Sequence, residues 1–556
     1  MTRSGSMLAL VPGTHPAPGT GANTDSGTHI PLRDIYAAQS AFTRAKDGYL
    51  IKQVSQFRPA TATGPGIFDA EFLPATSIDP DAYTAWLDHI WPAAACTHPV
   101  RLHGDIHRVD ARTGEILSTT HTSALPDGVI YKACGNRRAS SCPACAETYR
   151  RDAFQLIRSG LIGGKGISPA VANHPAVFAT FTAPSFGPVH SRPIRQHTCT
   201  DKANCRCKPQ PCHARHDAEV CPHGYKLACF TRHRRDDPAL GQPICPDCYD
   251  YAAAVVWNNN AGELWRRTKQ AIERRLNTAA RLRGLPYGVR VSHGKAAEYQ
   301  ARGAVHFHVL LRLDGLDPAD PGRLLPPPPG ITVADLEDAT RQAAATITCL
   351  TPPHPAQPSG WLIGWGDELD VRVITMRGTG TVTDLMVASY LAKYSTKGTE
   401  VTGHASKRLT PGTVGLYAKA DGTHTERLIH ACWTLGNHPD YRSLQRWAHM
   451  LGFGGHFLTK ARHYSATFRE LRDARITYRR TQDLGPEHTP IRTADHTAEE
   501  TTLIVGNLTY AGTGWKTTGD ALLASTAADQ ARKRRQAGRE ELADEYNRTT
   551  TGRQAA

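Results

Sequence analysis

The alternation of apolar and polar positions is clearest at residues 304–313, where Ala-Val-His-Phe-His-Val-Leu-Leu-Arg-Leu predicts a β-strand. Alternate side chains of a strand point to opposite faces, so the valines and the phenylalanine share one face. His306 and His308 share the other face, roughly 7 Å apart along the strand. Two imidazoles on one face of an apolar strand favour a divalent-cation site, and a pair of hydrogen-bonded core histidines is the alternative.

Apolar periodicity predicts further elements on both sides of this strand. Residues 287–293 read as its neighbouring strand, which places Glu298 near the connecting hairpin, where its carboxylate is a candidate third metal ligand. A free surface glutamate is the alternative. The other predicted elements are strands at 175–182 and 371–375 and helices at 147–161, 249–281 and 331–350.

A further helix, predicted to begin near residue 383, carries Tyr390 and Tyr394 one turn apart on the same face. Lys393 and Lys397 form a second row beside them. A phenol is a weak nucleophile at its ordinary pKa, and a neighbouring ammonium would favour the phenolate. The segment is therefore a candidate catalytic helix, and an ordinary amphipathic helix end is the alternative.

The composition indicates which kind of partner the protein binds and which cellular compartment it occupies. The 65 Lys and Arg residues outnumber the 51 Asp and Glu residues, and the net charge of +14 favours a polyanionic partner, with a merely basic protein as the alternative. No apolar run approaches the length of a membrane span, and the run before Pro12 is too short for a secretory signal. We therefore expect a cytoplasmic protein without a membrane partner.

Fourteen cysteines in a cytoplasmic protein favour metal binding over disulfides. The sharpest pair is Cys245-Pro-Asp-Cys248, because a Cys-x-x-Cys spacing supplies two ligands to one zinc ion. We expect two of Cys221, His223 and Cys229 to complete that site.

A second zinc half-site is Cys142-Pro-Ala-Cys145, with Cys134 before it, and the sequence does not choose its remaining partners. Thiolates close the coordination shell of zinc, so we expect one to three structural Zn²⁺ sites, and free buried cysteines are the alternative. Other candidate ligands in the span 197–250 are Cys199, Cys205, Cys207, Cys212, His213, His216 and His233.

The order of these motifs resembles a known family. His306-Phe-His308 followed by Tyr390-x-x-Lys-Tyr-x-x-Lys resembles the HUH endonucleases, and closer still the rolling-circle replication initiators of actinobacterial plasmids and integrative conjugative elements. The likeness covers roughly residues 130–475, and the first three supporting stretches follow the order of that family's motifs. The supporting stretches are 178–184, 298–308, the tyrosine helix and 446–456.

The resemblance implies an α+β fold, in which an HUH nuclease core has an antiparallel sheet flanked by helices, a Cys/His-rich zinc-binding insertion and flexible termini. It implies that His306 and His308, together with Glu298 or another carboxylate, hold one Mg²⁺ or Mn²⁺ ion. Imidazole is unusual for Mg²⁺, and Mn²⁺ accepts mixed nitrogen and oxygen ligands more readily.

The resemblance also implies a reaction. A tyrosine would attack origin DNA that is single-stranded or extruded as a hairpin, leaving a 5′-phosphotyrosine and a 3′-OH primer for a host DNA polymerase. Tyr394 is the preferred first nucleophile, Tyr390 the second, and Lys393 and Lys397 assist them. No Gly-x4-Gly-Lys-Ser/Thr loop is present, so a host helicase would have to unwind the DNA.

Motifs and composition together divide the chain into six regions. Its start is rich in Gly, Thr, Pro and Ser, and its end is low in apolar content, which is typical of disorder. The expected regions are a disordered N-terminus (1-30), an N-terminal accessory region without recognised chemistry (31-130), a Cys/His-rich zinc-binding region with the first nuclease-motif strand at 175-184 (131-250), the HUH nuclease core (251-400), a C-terminal helical DNA-binding region (401-480) and a polar tail (481-556).

Three other functions are weighed against this one. A relaxase or transposase of the same superfamily shares the histidines, but relaxases generally carry their tyrosine ahead of them, whereas here it follows. A zinc-finger DNA-binding regulator without catalysis would fit the charge and the cysteines. A zinc hydrolase is disfavoured because no His-Glu-x-x-His motif is present.

Overall fold

The chain is described by a computed structural model that covers most of residues 86–533. The predicted disordered N-terminus, residues 31–85 of the accessory region, Cys199, Cys205, Cys207 and most of the polar tail lie outside the described residues. The described residues are 86, 89–93, 95–110, 112–125, 127–194, 209–320, 322–376, 382–398, 408–483, 502–526, 529 and 533.

Helices and mostly antiparallel strands confirm the expected α+β class. The described α-helices are α1 (Pro143–Ile162), α2 (Tyr251–Leu282), α3 (Val333–Thr346), α4 (Asp384–Tyr394), α5 (His424–Leu435), α6 (Arg442–Arg446) and α7 (Phe468–Asp483). The described strands are β1 (Val100–Asp110), β2 (Ile116–His121), β3 (Ile130–Lys132), β4 (Ala176–Phe181), β5 (Val289–Tyr299), β6 (Val305–Leu316), β7 (Leu324–Leu325), β8 (Cys349–Leu350), β9 (Leu362–Ile363), β10 (Leu369–Val373), β11 (Leu458–Lys460) and β12 (Thr502–Thr513).

The chain divides into two compact units. The central unit comprises residues 148–471, and the terminal unit comprises residues 1–147 and 472–556. In the terminal unit, β1 pairs with β12, β2 and β3 to form one antiparallel sheet. The six regions expected from the sequence are not tested by this division, and they stay a prediction.

The central unit is built on a six-stranded sheet in the order β10-β4-β6-β5-β11, with β7 paired to β6. The apolar face of β6 is buried against α2, α3 and α5 in the larger hydrophobic cluster, which contains Val305, Phe307 and Val309. Side chains on the opposite face, such as Leu310 of β6 and Ala296 of β5, pack against α1 and α4 in a second cluster. Helices therefore cover both faces of the sheet.

The helix that carries the tyrosines begins where the sequence indicates. Thr383 is the N-cap of α4, and its hydroxyl accepts a hydrogen bond from the Met386 amide at 3.2 Å. Val387, Ala388 and Leu391 of this helix are buried in the second cluster, and Tyr394 packs against the same cluster. Within the described part of the chain, no helix is both long and apolar enough to cross a membrane.

Candidate metal and tyrosine site

The β5–β6 hairpin brings three candidate ligands onto one face of the sheet. Glu298 lies directly opposite His306 in the antiparallel register, and Ala296 lies opposite His308. Residues i and i+2 of a strand share a face, so the carboxylate and both imidazoles point the same way. Glu298 lies on β5 itself, because this strand extends to Tyr299, well beyond the predicted end at residue 293.

The ligand atoms of these three residues converge. The Nε2 atoms of His306 and His308 lie 3.1 and 3.2 Å from the same carboxylate oxygen of Glu298. All three ligand atoms lie within 4.8 Å of one another. The His308 side chain is 4% exposed, whereas His306 and Glu298 are 16% and 14% exposed. The cluster is therefore open to solvent on the His306 side.

The electrostatics of the cluster favour an ionised carboxylate and a neutral His308. Burial raises the pKa of Glu298, but hydrogen bonds with His306, His308 and Lys397 outweigh it and bring the pKa to about 2. Burial lowers the pKa of His308, and the carboxylate opposes this only in part. The ammonium of Lys397 lies 3.0 Å from the second carboxylate oxygen.

Two residues of β4 hold the ring of His308 in place. The Thr180 hydroxyl lies 3.2 Å from Nδ1 of His308, so that Nε2 is left for the ligand cluster. The ring of Phe178 stacks on the same imidazole at a centroid distance of 6.0 Å and an angle of 8°. Both residues come from the strand expected as the first nuclease motif.

Both tyrosines of α4 stand beside the histidine pair. The Tyr390 hydroxyl lies 3.4 Å from Nε2 of His308, and the ring centroids of Tyr390 and Tyr394 are 4.5 Å apart. The ammonium of Lys397 lies 4.3 Å from the centroid of the Tyr394 ring, and that of Lys393 lies 5.7 Å from it. Burial, followed by the hydrogen bond with Tyr394, raises the pKa of Tyr390. The structure thus brings together all the residues expected at this site.

The cluster fits a divalent cation. Two imidazole nitrogens and one carboxylate oxygen meet at one point, which is a mixed set that Mn²⁺ accepts readily. Three protein ligands leave further coordination positions for water or a phosphate oxygen. The open His306 side provides access to those positions.

Among the described residues, cysteine and histidine side chains form three more groups that could hold a metal ion. Cys221 and His223 join Cys245 and Cys248, whereas Cys229 lies in a different group. Cys134, Cys142 and Cys145 are joined by Cys96, from the region in which the sequence shows no chemistry. The remaining group consists of His190, Cys212, Cys229 and His233.

Comparison with known proteins places this chain in a family. The family described as "Replication initiator protein, pSAM2" (RepSA) matches residues 82–529. The chain belongs to the RepSA replication initiator family. A replication initiator protein from Streptomyces ambofaciens is 41% identical over 472 residues, which is 84% of this chain and 94% of the relative. No solved structure matches the chain.

The RepSA match confirms the expected replication initiator and includes every residue of the hairpin site and of the three Cys/His groups. Two ligand candidates of this RepSA initiator were missed in the sequence. Cys96 precedes its group by 38 residues, and His190 precedes Cys212 by 22 residues. Neither lies in a Cys-x-x-Cys or similar spacing, so no local signal pointed to them.

Proposed function

We propose that this replication initiator nicks one strand of origin DNA by the attack of a tyrosine of α4 on a phosphodiester, as the HUH endonucleases that it resembles do. The observation that carries the proposal is the meeting of two tyrosines with Glu298, His306 and His308. The three ligands come from one hairpin, whereas the tyrosines come from a helix more than eighty residues later. An accidental cluster of core histidines would not require a phenol and a lysine at the same place.

In this proposal, Glu298, His306 and His308 hold one Mg²⁺ or Mn²⁺ ion. When bound, such an ion makes the phosphorus more electrophilic and offsets the charge that develops on the phosphate. The Thr180 and Phe178 contacts keep His308 oriented for this task. Lys397 keeps the Glu298 carboxylate ionised and adds positive charge beside the ligand cluster, where the scissile phosphate would bind.

The bond changes are those of an in-line displacement. The tyrosine oxygen forms a bond to phosphorus as the phenol loses its proton to solvent, and the bond from phosphorus to the 3′ oxygen breaks. The leaving oxygen takes up a proton and becomes a 3′-OH, which a host DNA polymerase can extend. The phosphotyrosine retains the energy of the broken bond, so the strand can be rejoined without ATP. Unwinding remains the task of a host helicase.

The lysines favour Tyr394 as the first nucleophile. Both Lys397 and Lys393 lie near its ring, where their positive charge would offset the negative charge of the phosphate under attack. Tyr390 touches His308 and lies one helical turn away, which suits a second attack that rejoins the strand. Single-stranded or hairpin DNA is the expected substrate because a duplex would keep the phosphate away from a tyrosine on a packed helix.

A covalent-adduct assay tests this proposal. The full chain is incubated with Mn²⁺ and a 3′-labelled single-stranded oligonucleotide of the element's origin, and labelled protein is measured on a denaturing gel. We expect Tyr394→Phe to reduce the adduct to background, because the nucleophile is lost. We expect Tyr390→Phe to form the first adduct but to fail in rejoining.

Matched variants make the assay decisive. Tyr510→Phe alters a tyrosine that is 67% exposed in the terminal unit, and it should behave as wild type. His306→Ala and Glu298→Gln should both lose the adduct. An unchanged adduct yield in Tyr394→Phe would refute the preferred nucleophile, and an adduct in the double Tyr390→Phe/Tyr394→Phe variant would refute the tyrosine mechanism.

The alternatives predict different results in the same assay. A zinc-finger regulator without catalysis would bind the oligonucleotide but form no adduct at any metal concentration. A relaxase or transposase would form the adduct, but on transfer-origin or transposon-end DNA in place of the replication origin.

A further inference from the structure

The four cysteines of the terminal unit are spaced as ligands of one metal ion. The Sγ atoms of Cys134 and Cys145 are 3.7 Å apart, and those of Cys142 and Cys96 are 3.9 Å apart. A tetrahedral ion with metal–sulfur bonds of about 2.3 Å places its ligands about 3.8 Å apart. A disulfide would require about 2 Å. The geometry therefore matches a tetrahedron of thiolates and excludes two disulfides.

The backbone around this group supports thiolates. The amide of Cys134 donates to Sγ of Cys96 at 3.3 Å, and the amide of Asn136 donates to Sγ of Cys134 at 3.4 Å. Amide hydrogen bonds to sulfur stabilise negative charge on it. Cys96 and Cys142 are almost completely buried, at 2% and 1% exposure, so uncompensated thiolates would be costly there. A bound cation removes that cost.

The second group, which consists of His190, Cys212, Cys229 and His233, also has the surroundings of a metal site. Nε2 of His233 lies 3.5 Å from Sγ of Cys229, and Nδ1 of His190 lies 3.9 Å from Sγ of Cys212. The other ring nitrogen of His233 lies 2.7 Å from the carboxylate of Asp237. A carboxylate behind a histidine fixes its tautomer and its orientation toward a metal ion, which is a recurrent feature of zinc sites.

The third group combines three cysteines and one histidine. Nδ1 of His223 lies 3.3 Å from Sγ of Cys248 and 3.7 Å from Sγ of Cys245. A tetrahedral zinc ion separates a nitrogen and a sulfur ligand by about 3.6 Å. Cys221 completes the group, and all four ligand atoms lie within 4.8 Å of one another.

We propose that the described part of the chain holds three structural zinc ions, one in each of these four-residue groups. A set of four thiolate or imidazole ligands favours tetrahedral zinc over other divalent ions. Four protein ligands fill the coordination shell of zinc and leave no position for a substrate. Each cysteine that binds releases its thiol proton to solvent. The sites thus differ in kind from the three-ligand hairpin cluster, and they stand whether or not the proposed nuclease function does. The ligand sets are Cys96, Cys134, Cys142 and Cys145; His190, Cys212, Cys229 and His233; and Cys221, His223, Cys245 and Cys248.

Two further cysteines provide an internal comparison. Cys349 and Cys432 are also buried, but neither belongs to a metal-ligand group within the described residues. Every other cysteine in the described part of the chain belongs to one of the three groups. A cysteine of this chain can therefore be buried without lying close to other metal-ligating side chains, so burial alone does not explain the three groups.

Zinc analysis of the full chain tests the proposal. Metal content is measured by mass spectrometry in a His306→Ala/His308→Ala background, so that the hairpin cluster does not contribute. We expect at least three zinc ions per chain, one for each described group, and we expect Cys145→Ser, Cys212→Ser and Cys248→Ser each to lose one. Cys349→Ser and Cys432→Ser should retain all three. Unchanged zinc content in a ligand variant would overturn the site that it belongs to.

A second measurement covers variants that fold poorly. In His223→Cys, the third site becomes a set of four cysteines, which still binds zinc. Its cobalt-substituted form should show stronger sulfur-to-metal charge-transfer absorption than the wild type, because one more thiolate is bound. An unchanged cobalt spectrum in folded His223→Cys protein would show that His223 is not a ligand, and disulfides in the protein as isolated would overturn all three sites.

Discussion

At the scale of single residues, Thr180 contacts a ligand of the candidate cation site from the neighbouring strand β4. Its hydroxyl lies 3.2 Å from Nδ1 of His308, whose Nε2 points to Glu298. Partners of this kind behind a metal-binding histidine set its tautomer, and their loss typically weakens metal binding by about 10- to 100-fold.

Replacing Thr180 with valine should therefore weaken Mn²⁺ binding by about 10- to 100-fold, because the isosteric methyl group offers no hydrogen bond. Titration followed by electron paramagnetic resonance measures this without DNA or turnover. Thr180→Ser keeps the hydroxyl and should bind Mn²⁺ like the wild type. Equal Mn²⁺ affinities in Thr180→Val and wild type would contradict the positioning role.

A second residue-scale feature is a buried ion pair on β6. The guanidinium of Arg312 contacts the carboxylate of Asp314 at 2.7 and 2.8 Å, and both side chains are 0% exposed. His174 and Ser292 also contact the Asp314 carboxylate, at 2.7 and 2.6 Å. Removing one partner of such a pair leaves the other charge buried and uncompensated.

Asp314→Asn should lower the free energy of unfolding at pH 7 by about 3–5 kcal/mol. Burial raises the pKa of Asp314, but the contacts with His174, Arg312 and Ser292 outweigh it and lower the pKa below its ordinary value. The lowered pKa means that the carboxylate stabilises the fold above the unfolded-state pKa of about 3.9, and that this stability is lost as pH falls through the folded-state pKa. The difference between wild type and variant should therefore shrink in acid.

Urea unfolding at pH 7 and at successively lower pH measures both effects. Asp370→Asn is the matched control, since Asp370 and Arg372 have the same two-residue spacing but are 56% and 59% exposed. An exposed pair contributes at most about 1 kcal/mol, so this variant should change little. Equal losses in the two variants would show that burial is not the cause.

At the scale of elements, the segment between β4 and α2 packs closely on the hairpin that carries the ligands. A Cβ atom on Gly241 would lie 2.4 Å from the carbonyl carbon of Ala301, in the turn between β5 and β6. The Tyr249 hydroxyl donates to the carbonyl of Arg302 in the same turn. The turn therefore rests on the segment that holds two of the proposed zinc sites.

Gly241→Ala should thus separate the segment from the turn and lower the free energy of unfolding by about 1–3 kcal/mol more than Gly224→Ala does. Gly224 is a matched control, because its φ of +84° is close to the +83° of Gly241, while nothing lies within 4 Å of the place that a Cβ atom would occupy. Chemical unfolding of both variants measures the difference. Similar losses would mean that backbone strain alone accounts for the effect.

The sequence predicts individual helices and strands better than it predicts the tertiary contacts between them. The β6 strand, the α2 helix and the N-cap of α4 follow from short-range sequence patterns. Apolar residues recur at every second position in a strand and at every third or fourth position in a helix. Glu298 remained undecided because β5 is longer than its apolar pattern, and only the hairpin register places the carboxylate opposite His306. Cys96 and His190 could not be assigned, because their partners are brought close by tertiary folding alone.

At the scale of the whole molecule, the RepSA match covers residues 82–529, which include parts of both units. The likeness expected from the motifs reached only from about residue 130 to 475. The matched residues outside that range lie in the terminal unit. The sheet of this unit pairs β1 with β12, which lies about four hundred residues later in the chain. A pairing so distant leaves no periodic signal, so the sequence does not reveal it.

The pairing of β1 with β12 has a consequence for synthesis. A ribosome delivers β1 some four hundred residues before its partner, at a rate of roughly 5–20 residues each second. During that interval of about 20 to 80 seconds, the long edge of β1 has no β12 to cover it, while all residues of the central unit emerge. The nascent chain thus depends on a strand translated some four hundred residues later to complete the sheet that contains β1.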